Sequence, residues 1–366
     1  MGFVQPARLV FGIVPWYSLI IVSAIAIGVW LCGREEKRLG LPRDTAIDST
    51  LWAIPLGIIG ARLYYVAFAW DQFSGDPIRI LYVWEGGVAF YGALLGGLLG
   101  VFLNARRKKV KLMSLLDMIA PAVILAQAMG RWGNFFNMEA YGELVTDPKW
   151  QFFPFAVLIS GPQGDTWHLA TFFYESMWDF ISFALLMFFR KRMTRRGDVF
   201  LWYLLLYGAG RAVVEGLRLD SLMFLGGTAR VSQWLSILAI GVVFALFAVR
   251  RQRLRGEAVP FAAAIILLVH AFFLLYMGHQ TAFPYFWPWL SMAILALCAA
   301  DIGFTKQRGL PIASLPLLFL TAAFIVFLYF NQGALLALPL KTAYIALISL
   351  SFPAASLAVY PHTYIK

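Results

Sequence analysis

An arginine, two asparagines and a glutamate interrupt an otherwise apolar stretch at Arg131, Asn134, Asn137 and Glu139, within "GRWGNFFNMEAYG". Polar groups at membrane depth are expensive, and those that occur face a cavity or a partner. Wound as a helix, Arg131, Asn134 and Asn137 recur every three residues and share a face. A second set stands in "YLLLYGAGRAVVEGLRLDS", where Tyr207, Arg211, Glu215 and Arg218 follow one another along a narrow helical stripe. A third, "HLATFFYESMWD", spaces Thr171, Glu175 and Asp179 by four residues. Arg62 in "GARLYYV" and Tyr91 in "WEGGVAFYGALLGG" complete the ionisable set, and Gly92, Gly96 and Gly100 form a small-residue face for close helix contact. A guanidinium is permanently charged and presents a planar fork that matches phosphate bidentately. Arginines at this depth point to an anionic group on the ligand, a phospholipid headgroup entering from the outer leaflet. Carboxylates four residues from an arginine keep it oriented and reduce unpaired buried charge.

The elements that must carry these residues are membrane helices. The chain of 366 residues is 61% hydrophobic and 13% charged, with a mean hydropathy of +0.75. Apolar runs fall near 11–32, 49–69, 86–104, 112–130, 171–189, 199–217 and 231–249, and runs of about 18 or more such residues read as membrane spans. Basic clusters follow spans one, three, five and seven, beginning at Arg34, Arg106, Arg190 and Arg250. Positive charge marks cytoplasmic loops, so the amino terminus is expected outside and the polar set at the outer ends of its spans. The net charge of +11 is accounted for by these loops, which argues against nucleic acid as a partner. The first apolar run lacks an A-x-A cleavage pattern and reads as a retained helix. Cys32 and Cys298 give no CxxC, and the four histidines are scattered, so neither a metal nor another cofactor is expected.

After Gly256 the character changes. Runs near 259–276, 286–302, 311–329 and 342–359 add about four more helices with few charges. The expected fold is therefore all-α, a polytopic transmembrane bundle: a seven-helix core over 1–256 and an appended helical tail over 257–366 of unknown role.

The motifs resemble a known family, the bacterial prolipoprotein diacylglyceryl transferases. The family's pattern G-R-x-G-N-F-x-N-x-E-x-x-G is matched at Gly130, Arg131, Gly133, Asn134, Phe135, Asn137, Glu139 and Gly142. "GARLYYV", "WEGGVAFYG", "YES", "YGAGRAVVEGLR" and "SQWLS" follow in the family's order, and the resemblance covers roughly residues 10–250. It implies an enzyme of the bacterial cytoplasmic membrane with its site toward the outer leaflet. That enzyme moves the diacylglyceryl group of phosphatidylglycerol onto the lipobox cysteine of a preprolipoprotein, forming a thioether and releasing glycerol phosphate. Carried over by position, the resemblance implies Tyr91, Arg131 and Arg211 as catalytic, the two arginines on the phosphate. Tyr17, Arg62, Asn134, Asn137, Glu139, Glu175, Tyr207, Glu215 and Arg218 would line the substrate site, with Glu215 paired to Arg211.

The sequence departs from the family pattern at one chemically important place: Tyr91 stands where histidine is often found. A thiol of pKa about 8.5 is only a few per cent thiolate at neutral pH, so some group must take its proton. Either Tyr91 substitutes, or another group takes the role, or the histidine is not essential to the chemistry. Two other readings stand beside the transferase: a paralogue with a different lipid donor or acceptor, and a lipid transporter or flippase. Transporters usually show repeated halves, and no internal repeat is visible here.

Overall fold

The computed structural model describes residues 8–161, 164–193 and 195–220, and, beyond them, 223–224, 229–232, 235–236, 238–243 and 246–247. Its long helices are α1 (Trp16–Leu39), α2 (Thr45–Phe68), α3 (Phe90–Arg107), α4 (Leu112–Asn137), α5 (Thr171–Phe189) and α6 (Asp198–Leu217). Four of them, α1, α2, α4 and α5, are long and apolar enough to cross a membrane. Leu19, Val22 and Trp30 on α1 and Leu51, Ile58, Ile59 and Leu63 on α2 are exposed, an apolar surface that a bilayer, not water, would cover. The protein is thus a helical membrane protein. Only part of the seventh expected span, 231–249, falls on described residues, and the four tail spans lie outside them.

The chain divides into two compact units. The first comprises Val22–Ala126 and Arg195–Phe200; the described residues of the second lie in 8–21, 127–193 and 201–247.

In the first unit, α2 and α3 pack in backbone contact. A Cβ at Gly96 would overlap the Leu56 carbonyl oxygen, and one at Gly100 would lie 2.5 Å from the Trp52 carbonyl oxygen. Glycine at these positions lets two helices approach to where peptide groups touch. At the same end as Thr45, the buried Asn104 donates to Ser49 Oγ (2.8 Å) and to the Thr45 carbonyl (3.2 Å), and Lys108 pairs with Asp48 at 2.7 Å. Carboxylates from a preceding helix close the helix starts. Glu36 accepts from the Asp44 and Ala46 amides (3.1 and 2.7 Å) at the head of α2. Asp117 on α4 accepts from the Gly197 and Phe200 amides (2.5 and 2.9 Å) at the head of α6. The first amides of a helix have no intrahelical partner, and an anion there also meets the positive end of the helix dipole.

Several boundaries differ from the hydropathy reading. Residues 9–15 form a two-residue ladder, β1 (Leu9–Val10) against β2 (Val14–Pro15), turning at Gly12 with φ +72°, so α1 begins at Trp16 and not near 11. The third helix begins at Phe90, because Gly86 and Gly87 both take positive φ just before it. The fourth runs past 130 to Asn137 and stops where Met138 and Ala140 adopt φ of 55° and 57°. The stretch after it is not wholly irregular. It carries an antiparallel hairpin of β3 (Ala156–Gly161) and β4 (Gly164–Leu169), a correction to the all-α expectation. Hydropathy marks what prefers lipid; a hairpin of six residues per strand leaves no such mark.

Candidate active site

The site lies in the second unit, where the last turns of α4 meet the first turn of α5 and the second half of α6. Aromatic and hydroxyl contacts lock these helices in place. Trp132 Nε1 donates to Ser176 Oγ (3.0 Å), which donates in turn to the Ala128 carbonyl (2.8 Å), tying α5 to α4. Trp178 Nε1 donates to the Leu206 carbonyl at 2.7 Å, and its ring lies where a Cβ at Gly210 would be, tying α5 to α6. Tyr17 packs its ring on Gly133, whose Cβ would fall 2.5 Å from Tyr17 Cδ2, and Trp16 stacks on Phe136 at 4.9 Å. The glycine of the motif is therefore the seat of an α1 aromatic ring.

Within this frame two guanidiniums share one carboxylate. Glu175 Oε1 lies 2.8 Å from Arg131 Nη2 and 3.1 Å from Arg211 Nη1; its Oε2 is 3.1 Å from the same Arg211 nitrogen. The other end of the Arg211 fork pairs with Glu215, four residues on. All three helices thus contribute charge to one cluster, and Glu175 and Glu215 are almost fully buried. Arg131 Nη1 reaches Asn134 Oδ1 at 3.5 Å, and Asn134 and Asn137 both donate to Glu139 Oε1 (2.9 and 3.2 Å). A shallow cleft opens beside Asn134 and Glu139, walled by Phe135, Tyr141, Val157 and Ile159. One turn along α5 from Glu175, both oxygens of Asp179 are buried with no hydrogen-bond partner among the described residues. Tyr207, a turn before Arg211, stacks on Tyr203 with ring centres 5.9 Å apart.

The segment following Glu139 returns to this frame. Thr171 donates to the Ala140 carbonyl (2.6 Å), His168 Nδ1 lies 2.9 Å from the Gly142 carbonyl oxygen, and the Tyr141 and His168 rings meet at 4.8 Å. Gly142 also pairs with Arg218 in an antiparallel bridge. A Cβ there would lie within 2.8 Å of Thr171, Leu169 and Leu217, so the last glycine of the motif sits at a three-way junction.

Not every expected residue falls in this cluster. Arg218 follows the end of α6 and leaves the stripe of Tyr207, Arg211 and Glu215; its fork grips Asp220, Nε on Oδ1 (2.9 Å) and Nη2 on Oδ2 (2.7 Å). Partial burial raises the proton affinity of the Asp220 carboxyl, but the hydrogen bonds and charge of Arg218 outweigh it and hold the group below the usual carboxylate range. Tyr91 and Arg62 belong to the first unit. Tyr91 opens α3 with its ring against Phe90 and Tyr64 (5.6 and 6.5 Å). Arg62 is buried and donates to the carbonyls of Arg79 (2.5 Å), Ile80 (2.9 Å), Tyr82 (3.3 Å), Gly86 (2.6 Å) and Gly87 (3.0 Å).

A guanidinium has five N–H donors, so Arg62 spends its whole fork on the backbone of the 79–87 loop. Arg62→Lys, with three donors on one atom, is expected to lose at least two of these five hydrogen bonds, at about 0.5–1.5 kcal/mol each. The expected result is faster limited proteolysis between 70 and 88 and a lower melting temperature. Unchanged proteolysis would show that the loop does not depend on Arg62.

The pairing of Arg211 with Glu215 is a local i,i+4 contact and was expected; the partners of Glu175 and the contacts of Ser176, Trp178 and Asp220 are not legible in the sequence. The four-residue spacing of Thr171, Glu175 and Asp179 was the available signal for a polar face on α5.

The chain is similar to known proteins over most of its described length. A family model described as "Prolipoprotein diacylglyceryl transferase" matches residues 8–249. The chain is 45% identical over 242 residues to a phosphatidylglycerol–prolipoprotein diacylglyceryl transferase of Lactococcus lactis subsp. lactis (strain IL1403), covering 65% of this chain and 90% of the relative. It is 44% identical over 247 residues to the protein of the same name from Enterococcus faecalis (strain ATCC 700802 / V583), covering 66% and 88%. It is 41% identical over 240 residues to that of Halalkalibacterium halodurans, covering 65% and 83%. Residues 250–366 lie outside the range matched by the family model.

Proposed function

Because the chain belongs to the prolipoprotein diacylglyceryl transferase family, we propose that Arg131 and Arg211 hold the phosphate of its lipid substrate during the transfer. The enzyme moves the diacylglyceryl group of phosphatidylglycerol to a prolipoprotein, the first step of lipoprotein maturation. The proposal extends to the acceptor atom, the thiol of the lipobox cysteine, and to a site at the outer leaflet of the cytoplasmic membrane. It also takes 1–256 as the transferase core and 257–366 as an appended helical tail.

The observation that carries the site assignment is the pair of half-buried guanidiniums from α4 and α6 meeting at one buried carboxylate. When the glyceryl carbon–oxygen bond breaks, negative charge grows on the departing phosphate. Prepositioned cations in a site shielded from water stabilise that charge without reorganisation. Asn134, Asn137 and Glu139 brace Arg131, and Glu215 braces Arg211. Tyr207 lines the same helix face as Arg211, while Tyr17 and Arg218 shape the site through the backbone segments they fix. The expectation for Tyr91 is carried by the family resemblance, and Tyr91→Phe with unchanged transfer would remove it.

The test uses purified protein, phosphatidylglycerol and a lipobox peptide, read by mass spectrometry. A diacylglyceryl mass increase on the peptide cysteine is expected, absent with a Cys→Ala peptide and reduced at least ~10²-fold in Arg131→Ala, as for loss of one prepositioned donor. Full activity in Arg131→Ala would move the phosphate site elsewhere.

A further inference from the structure

We infer that Glu175 is displaced from Arg131 and Arg211 by the incoming phosphodiester and then accepts the proton of the acceptor thiol. This rests on the reading that those arginines bind the phosphate, and three features of the cluster lead to it.

First, Glu175 stands where a phosphate oxygen has to go. Arg131 Nη2 and Arg211 Nη1 both point at it, while Arg131 Nη1 is turned to Asn134 and Arg211 Nη2 to Glu215. The donors that converge from two helices on a single point are those that the carboxylate occupies. An anionic oxygen placed between the two forks must take them from Glu175.

Second, both arginines already have carboxylate partners. Two guanidiniums face Glu175 and Glu215, and a phosphodiester adds one negative charge to a nearly closed site. Around Glu175 stand Arg131 from α4, Arg211 and Tyr207 from α6, and Asp179 on its own helix. The only cations among these are the arginines that the phosphate engages. A buried carboxylate that has lost its cations is stabilised by taking up a proton. The second substrate brings one, on sulfur.

Third, the helix that carries Glu175 is tied to both neighbours, through Ser176 to α4 and through Trp178 to α6, so displacement moves the side chain and not the backbone.

The step balances. The S–H bond breaks as its proton passes to a Glu175 oxygen, and the sulfur electron pair forms the bond to the glyceryl carbon. The carbon–oxygen bond to phosphate breaks, and its electron pair leaves on glycerol phosphate, where Arg131 and Arg211 meet the new charge. The proton then follows the leaving phosphate, and Glu175 pairs again with the two arginines. Substrate binding and base activation become one event: the carboxylate is masked until the lipid is present.

The test compares Glu175→Gln, Glu175→Asp and Tyr91→Phe with the unaltered enzyme in the peptide assay, from pH 6 to 9. Phosphatidylglycerol binding is measured separately by native mass spectrometry. Glu175→Gln removes the competitor and the base, so lipid binding is expected to persist or tighten. Transfer at pH 7 should fall about 10²–10⁴-fold, the usual contribution of a general base. The signature is in the pH profile. Glu175→Gln transfer should rise about tenfold per pH unit toward the thiol pKa of about 8.5, as solvent supplies the thiolate, whereas Glu175→Asp keeps the profile of the unaltered enzyme. A Glu175→Gln enzyme reduced by one factor at every pH, or unable to bind the lipid, would overturn the proposal in favour of a structural role. The same pH signature in Tyr91→Phe would assign the proton to Tyr91. Failure of the unaltered enzyme to lipidate the peptide would reject the transferase reading itself, a distinct outcome.

Discussion

Arg211→Lys is expected to lower diacylglyceryl transfer about 10²-fold or more, and Arg211→Ala to abolish it and destabilise the fold. The two changes separate charge from shape. Lysine keeps the positive charge but replaces a planar fork with a single ammonium, and at a bidentate site that exchange is not conservative. Arg211 uses one fork nitrogen on Glu175 and the other on Glu215, and a single Nζ cannot span both. Alanine takes from two buried carboxylates, Glu175 and Glu215, the guanidinium that both pair with. Removing one partner of a buried pair costs about 3–5 kcal/mol, so the variant should melt earlier as well as fail to react. Initial rates in the mass-spectrometric assay, with melting curves in the same detergent, measure both effects. An Arg211→Lys enzyme within a few fold of the unaltered rate would mean that only the charge matters, and the fork geometry argued here would be dispensable.

The second large effect lies away from the chemistry. Gly96→Ala places a methyl group on the Leu56 carbonyl oxygen, with the Leu56 carbonyl carbon only 2.8 Å away. The clash is with backbone, so no rotamer change relieves it and α2 and α3 must separate. Overpacking typically costs about 1–3 kcal/mol and occasionally more, and here separation also opens the neighbouring contacts at Gly60, Gly92 and Gly100. The expected outcome is a clear loss of thermal stability or of folded protein recovered from membranes. Gly97→Ala is the control: its Cβ would meet only the Ala53 carbonyl, at 3.8 Å, so its melting temperature should stay near that of the unaltered protein. Equal behaviour of the two variants would remove the close-packing argument.

How much of this was legible beforehand differs from residue to residue. The glycine face of α3 was readable, because a four-residue repeat of small residues is a local pattern with one geometric consequence. Its partner was not, since nothing in "LWAIPLGIIGAR" marks which carbonyls will be touched. The pairing of Arg211 with Glu215 was readable for the same local reason. The bridging position of Glu175 was not, because it depends on the rotation and depth of three helices at once. Arg62 is the sharpest difference. Its type and depth suggested a ligand phosphate, yet its donors all go to carbonyls 17 to 25 residues away. Every residue carries a carbonyl, so such partners leave no trace in composition or spacing.

By itself, then, the sequence determined the class of protein, the membrane helices, the family motif and the helix faces on which the charged groups stand, because each follows from periodicities of a few residues. Tertiary structure decided which charges meet. It placed one carboxylate between two arginines from different helices, turned Arg62 to the backbone, drew Arg218 to Asp220, and used Asp117 and Glu36 to close helices that begin elsewhere in the chain. Those choices depend on how helices rotate and slide against one another, and that is set by packing over the whole surface of each helix, beyond the reach of any local pattern.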